Sequence, residues 1–103
     1  MASSKEFRDY ILGQLSGVPG VSCRSMMGEF LLYADGVLFG GIYDDRLLLK
    51  KVVGVNDGFG MSEVLPYEGA KTPMYLVDEV DDAEKLGKIV TATVEGIVQA
   101  RKE

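Results

Sequence analysis

Apolar positions recur along this chain with two different periods, and the switches between them mark out the elements. Phe7, Tyr10, Ile11 and Leu15 fall at helical spacing and form one stripe. Ser3 with Glu6 three residues on has the form of a capping box, so a helix is predicted from there to about Leu15. Gly17 suits the left-handed residue past its end, and Pro19 stops continuation. From residue 21 the period changes to two. Val21, Cys23, Ser25 and Met27 alternate with Ser22, Arg24 and Met26, which predicts a strand over residues 21–27, with Gly28 at a bend or turn. Phe30 to Tyr33 is continuously apolar, and Asp35-Gly36 then supplies a hairpin turn, because a primed turn needs positive φ at its centre. Val37 to Tyr43 is the next strand, and its Gly40-Gly41 pair signals a bulge or the close approach of another backbone. Asp44-Asp45 forms a second turn before a strand from Arg46 to Lys51 or Val52.

Beyond this meander the pattern weakens. In residues 53–65, Gly54, Gly58 and Gly60 argue against a stable helix, and at most a short turn around Phe59-Gly60-Met61 is expected. Pro66 to Pro73 is loop chemistry, with two prolines and a glycine in eight residues. Met74 to Val77 reads as a last strand. Asp81 and Glu84 form a second capping box, and Leu86, Ile89, Val90, Val94, Ile97 and Val98 mark a long amphipathic helix whose end carries Arg101 and Lys102. Helices at both ends of an antiparallel meander define an α+β fold of two layers. Each helix carries a single stripe, so one face of the sheet is expected to be covered and the other to show Leu, Phe and Tyr side chains.

Composition narrows the function more than the fold. The 103 residues suffice for one domain, taken as residues 1–103. Such a chain buries about 65% of its unfolded surface, enough for a core without staples. Its single cysteine, Cys23, rules out an internal disulfide. Histidine is absent, which removes the usual general base, the usual partner of a Ser or Cys nucleophile and the commonest metal ligand. The net charge of −5 works against attraction to phosphate backbones or anionic lipid, so direct nucleic-acid binding is not expected. No apolar run approaches the roughly 20 residues that span a bilayer, and the N-terminus lacks a signal peptide's apolar stretch. The expected location is the cytoplasm, with no membrane contact.

Five groups of side chains stand out as possible sites. Cys23 lies on an apolar alternating strand, where a free cysteine behaves as a small hydrophobe, and Arg24 should point to the opposite face. Asp44-Asp45 and the acidic run from Asp78 to Asp82 lack the ligand spacing of a calcium loop and read better as turn and cap residues. Arg46, Lys50, Lys51 and Lys71 are the candidate anion site. Adjacent Lys50 and Lys51 point to opposite faces, and solvated charges blunting an edge strand is the plainer account of the set. Tyr33, Tyr43, Tyr67 and Tyr75 resemble a stacking platform, but acidic neighbours favour tyrosines at sheet edges with the hydroxyl reaching water or backbone. Met26, Met27, Met61 and Met74 suit either an adaptable binding surface or core gap-filling, and the second is the commoner use and the one expected. The candidate binding residues are therefore Tyr33, Tyr43, Arg46, Lys50 and Tyr67. No residue is assigned to catalysis, a cofactor or a metal.

Met26-Met27-Gly28-Glu29-Phe30-Leu31-Leu32-Tyr33-Ala34-Asp35-Gly36 resembles the N-terminal domain family of TfoX, the bacterial competence regulator. Supporting residues are Phe7 and Leu15 in the opening helix, Asp44-Asp45 before a strand ending in Lys50, Pro66-Tyr67 and Met74-Tyr75. The likeness covers nearly the whole chain. It departs at Met27, where the family often has Phe, and at Leu31, where it has glycine; both keep the strand apolar. The resemblance implies a two-layer domain of secretion-chaperone-like outline and transfers no catalytic residue. The full regulator has a second domain, so competence regulation is not expected to carry over whole. The function expected is a small non-catalytic binding or regulatory domain acting through protein contacts, with a homodimer among the candidates. The alternative is a small-molecule binder or minor enzyme using Tyr, Asp or Lys in a pocket on the sheet.

Overall fold

A computed structural model describes residues 4–52 and 61–101. The fold is α+β: helix α1 (Lys5–Gln14), strands β1 (Val21–Met26), β2 (Glu29–Ala34), β3 (Val37–Tyr43), β4 (Arg46–Leu49), β5 (Ser62–Val64) and β6 (Met74–Leu76), then helix α2 (Ala83–Arg101). The six strands form one sheet in the order β1-β2-β3-β4-β6-β5, with every pairing antiparallel. The short turn expected around Phe59-Gly60-Met61 lies, but for Met61, outside the described residues.

The meander is built by three two-residue turns in which both central residues have positive φ: Met27-Gly28, Asp35-Gly36 and Asp44-Asp45. The twist of such turns matches that of the flanking strands, which is why Gly, Asn and Asp dominate them. Gly20, also at positive φ (70°), rather than Gly17, is the left-handed residue between α1 and β1. A Cβ there would run into the Asp35 carboxylate, and the Gly20 carbonyl accepts the Asp35 N–H at 3.0 Å, so the turn between β2 and β3 rests on this glycine.

Both helix caps fall one residue later than the spacing suggested. The Ser4 hydroxyl accepts the Phe7 N–H at 3.1 Å, and the Ser4 N–H donates to Asp45 Oδ1 at 2.7 Å. A turn residue far along the chain thus does the job expected of Glu6. Likewise Asp82, not Asp81, caps α2 by accepting the Lys85 N–H at 3.0 Å. Asp81 instead accepts the hydroxyl proton of Tyr10, holding that phenol above its usual pKa. With Gln14 Nε2 donating to the Val80 carbonyl at 2.8 Å, α1 is tied to the segment that leads into α2.

Both helices lie on one face of the sheet. Ile11, Leu15, Leu86, Ile89, Val90 and Ile97 pack in one cluster with Phe30, Leu32, Phe39, Ile42, Leu47 and Leu49. Cys23 packs against the same cluster, as its alternation implied. Thr93, buried in α2, donates its hydroxyl to the Ile89 carbonyl at 2.8 Å and so leaves no orphaned polar group. No helix among the described residues is long and apolar enough to cross a membrane.

One irregularity decides which side chains face away from the helices. Leu38 pairs with Tyr33 and Gly40 with Leu32, so Phe39 is an extra residue in β3. Strict alternation would send Tyr43 to the same side as Val37 and Phe39. The bulge shifts the phase by one, so that Ile42 turns to the core beside Phe30 and Leu47, and Tyr43 turns to the helix-free face opposite Arg46.

Five expectations are corrected. Residues 62–64, left without structure by their weak pattern, form β5, which pairing with β6 stabilises where propensity does not. The strand begun at Arg46 stops at Leu49, and β4 is interior rather than an edge, since β6 pairs on its far side. Basic residues at its end therefore do not blunt an edge; the edges are β1 and β5. Tyr33, Tyr43 and Tyr75 sit on interior strands too. Of the four methionines, Met61 packs against the core, whereas Met27 is 96% exposed at its turn, Met26 is about half exposed and Met74 borders the groove described next.

Candidate functional site

The helix-free face is not bare. The segment from Leu65 to Pro73 leaves β5, passes over this face and returns into β6, enclosing a concavity of about 600 Å³. Leu31 and Leu38 line its floor, Tyr43 stands at one end, Lys50 and Lys51 at the end of β4, and Pro66, Tyr67, Lys71 and Pro73 come from the loop. Phe side chains were expected on this face with Leu and Tyr; the strand phenylalanines Phe30 and Phe39 are instead in the core between sheet and helices.

Arg46 holds the loop in place. Its Nε donates to the Tyr43 carbonyl at 3.2 Å, and one terminal nitrogen donates to the Leu65 and Pro66 carbonyls at 3.4 and 3.2 Å. The Ala70 N–H closes a turn onto the Tyr67 carbonyl at 3.1 Å, with Gly69 at φ 88°. A guanidinium suits this work because its donors fan out in a fixed plane toward several carbonyls. Arg46→Ala is expected to lose about 1–2 kcal/mol of stability, since hydrogen bonds from a charged donor are among the stronger ones. Amide exchange should show faster exchange at residues 67–70 and little change in β2 and β3; uniform acceleration would mean Arg46 does not hold the loop specifically.

The five candidate binding residues separate as follows. Tyr43, Lys50 and Tyr67 border the groove together. Arg46 positions the loop that forms its wall. Tyr33 belongs to a neighbouring shallow depression with Ser22, Cys23, Arg24 and Gly36. Burial pushes the Tyr43 phenol above its usual pKa, and Tyr67, Glu29 and Tyr33 add to the shift, so at neutral pH it is a hydroxyl that donates and accepts hydrogen bonds. Lys51 is engaged: its ammonium pairs with Glu63 at 2.5 Å and lies over the Tyr75 ring, and Glu63 holds it above its usual pKa. Lys50 and Lys71 enter no ion pair among the described residues.

The sequence reading missed Leu31, Leu38 and the loop residues as a wall, because nothing in local spacing places Pro66 to Pro73 over β3. The Gly40-Gly41 pair was the one local signal that side chains are kept clear there. No three Cys, Asp or Glu residues among those described converge as a metal cluster; Asp44 and Asp45 are turn residues and Asp82 is a cap.

Taken together, fold and site define an α+β protein with helices on one sheet face and a loop-walled groove on the other. The model of the TfoX N-terminal domain matches residues 13–97, and the chain belongs to that family. It is also similar to a 12.7 kDa protein of Spirochaeta aurantia, described as uncharacterized and as lying in the trpE 5′ region. The two are 29% identical over 94 residues, spanning 90% of this chain and 82% of that one.

Proposed function

We propose that the chain is a small non-catalytic regulatory domain that works by recognition at the helix-free face of its sheet and acts through contact with a protein partner. The observation that carries this reading is the groove itself: a braced, preformed concavity bordered by apolar, tyrosine and lysine side chains. Leu65 and Tyr67, 48% and 62% exposed, are large apolar side chains on the loop that forms its wall, the kind that anchors protein contacts.

The test places the photoreactive residue benzoylphenylalanine at Tyr67 or, as a control, at Lys88 on the exposed side of α2, in cells expressing the protein. Discrete protein adducts are expected from position 67 and not from 88. Adducts from 88 alone, or from both alike, would sink the reading. Sedimentation of the purified chain at micromolar and millimolar concentration then decides whether the partner is a second copy.

A second reading, small-molecule binding, is favoured by one specific observation. The concavity's volume of about 600 Å³ lies within the range of roughly 300–1,000 Å³ usual for ligand sites.

A further inference from the structure

Charge is distributed unevenly between the groove and the rest of the molecule. The chain carries 16 Asp and Glu against 11 Lys and Arg. The groove is nonetheless bordered, among the described residues, by three lysines and no carboxylate. Glu63 neutralises Lys51, which leaves Lys50 and Lys71 as uncompensated cations among the described residues. Leu49 pairs with Tyr75, so Lys50 follows the end of β4 where the chain returns to β6 through Lys71, Thr72 and Pro73. Lys50 and Lys71 thus both border the groove near the end of β4. At the other end Tyr43 lies within reach of the Glu29 charge, and the floor between is Leu31 and Leu38. The groove therefore changes character along its length: lysines at the Lys50 end, leucines in the middle and phenols at the Tyr43 end, where the Arg46 guanidinium is occupied by backbone carbonyls.

We infer that the groove binds a small organic anion, its acidic group held by Lys50 and Lys71 and its flat apolar body lying over Leu31 and Leu38 toward Tyr43 and Tyr67. A cleft with low-dielectric walls concentrates the field of its cations, so two ammonium groups attract an anion here more strongly than the same pair would on an open surface. Tyrosine rings suit a flat partner, because offset stacking adds to area burial. The neutral Tyr43 hydroxyl can hydrogen-bond a polar substituent at the far end of the ligand. An inorganic anion alone would use only the lysine end and forgo the apolar floor. This inference rests on the small-molecule reading above and adds the sign of the ligand's charge and its orientation.

The test uses two fluorescent probes of nearly equal shape, anilinonaphthalene sulfonate, which is an anion, and uncharged phenylnaphthylamine. The sulfonate is expected to saturate at one site per chain. The Lys50→Gln/Lys71→Gln double variant should weaken it about 10-fold, the effect expected for losing two exposed ion contacts. The same double variant should leave the neutral probe unchanged. Raising salt from about 50 to about 500 mM should weaken the sulfonate selectively, because the Debye length shortens. Both lysines are exposed, so the double variant is expected to unfold in urea at the wild-type midpoint, which confirms that it is folded. Equal affinity for both probes, or a sulfonate indifferent to the double variant, would overturn the inferred charge while leaving a binding groove intact. Failure of the sulfonate to saturate, or sulfonate binding untouched by Tyr67→Ala, would overturn the groove as a small-molecule site altogether.

Discussion

Phe39→Ala is expected to remove about 3–5 kcal/mol of stability, the range for truncating a buried aromatic in a core that cannot collapse around the cavity. Phe39 is the bulged residue of β3 and is fully buried in the cluster that joins the sheet to both helices. Its loss leaves a void beneath α2, the helix most closely packed on β3. Natural domains are stable by only about 5–15 kcal/mol, so the variant should sit near its unfolding transition at ordinary temperature. Urea denaturation is the measurement, with the midpoint falling and the slope unchanged. A loss below about 1 kcal/mol would mean that Phe39 is not the core residue its burial indicates.

The next largest effect is expected from Gly40→Ala, and it comes from crowding rather than from a cavity. A Cβ at Gly40 would collide with the Leu48 carbonyl oxygen and stand 3.0 Å from Leu49 Cα. Both obstacles are backbone of the neighbouring strand, so no side-chain rotation relieves them. Overpacking of this kind costs about 1–3 kcal/mol and occasionally more. The displaced strand is β4, which carries Arg46 and leads into Lys50. Gly40→Ala should therefore lower the urea midpoint and also broaden or shift the amide signals of residues 65–70, through Arg46. Gly36→Ala is the instructive comparison. Nothing lies within 4 Å of a Cβ there, and only the positive φ opposes it, so its cost should be smaller. Equal losses from the two variants would show that crowding at Gly40 is not the operative effect.

Much of this architecture was legible in the order of residues. The Asp35-Gly36 and Asp44-Asp45 turns, the strands they join and the stripe on each helix all follow from local chemistry, because a turn that requires positive φ selects its residues within two positions. The caps were each displaced by one residue for a physical reason too. Several Ser and Asp residues stood in range, and the choice fell to contacts made elsewhere: Ser4 gains the Asp45 carboxylate from the turn before β4, and Asp81 is taken by Tyr10. β5 was hidden because three residues with two polar side chains exposed have no pattern of their own; the hydrogen bonds of β6 make them a strand.

The candidate site divides along the same line. Tyr43, Lys50 and Tyr67 were singled out as chemical types, yet their meeting depends on a bulge and on a loop, both settled by packing. The bulge at Phe39 turns Tyr43 away from the helices, since an inserted residue reverses the facing of everything after it in the strand. The Arg46 guanidinium fixes Pro66 over the sheet, and with it the wall that brings Lys71 to the groove.

The residue order by itself determined the α+β class, the antiparallel meander and its turns, the two amphipathic helices and membership of a family, because each depends on interactions a few positions apart. The groove, its positive end and the hold of Arg46 on Leu65 and Pro66 were decided only by tertiary structure, because they join residues 19 or more positions apart whose approach depends on strand register and on which face of the sheet the helices leave open.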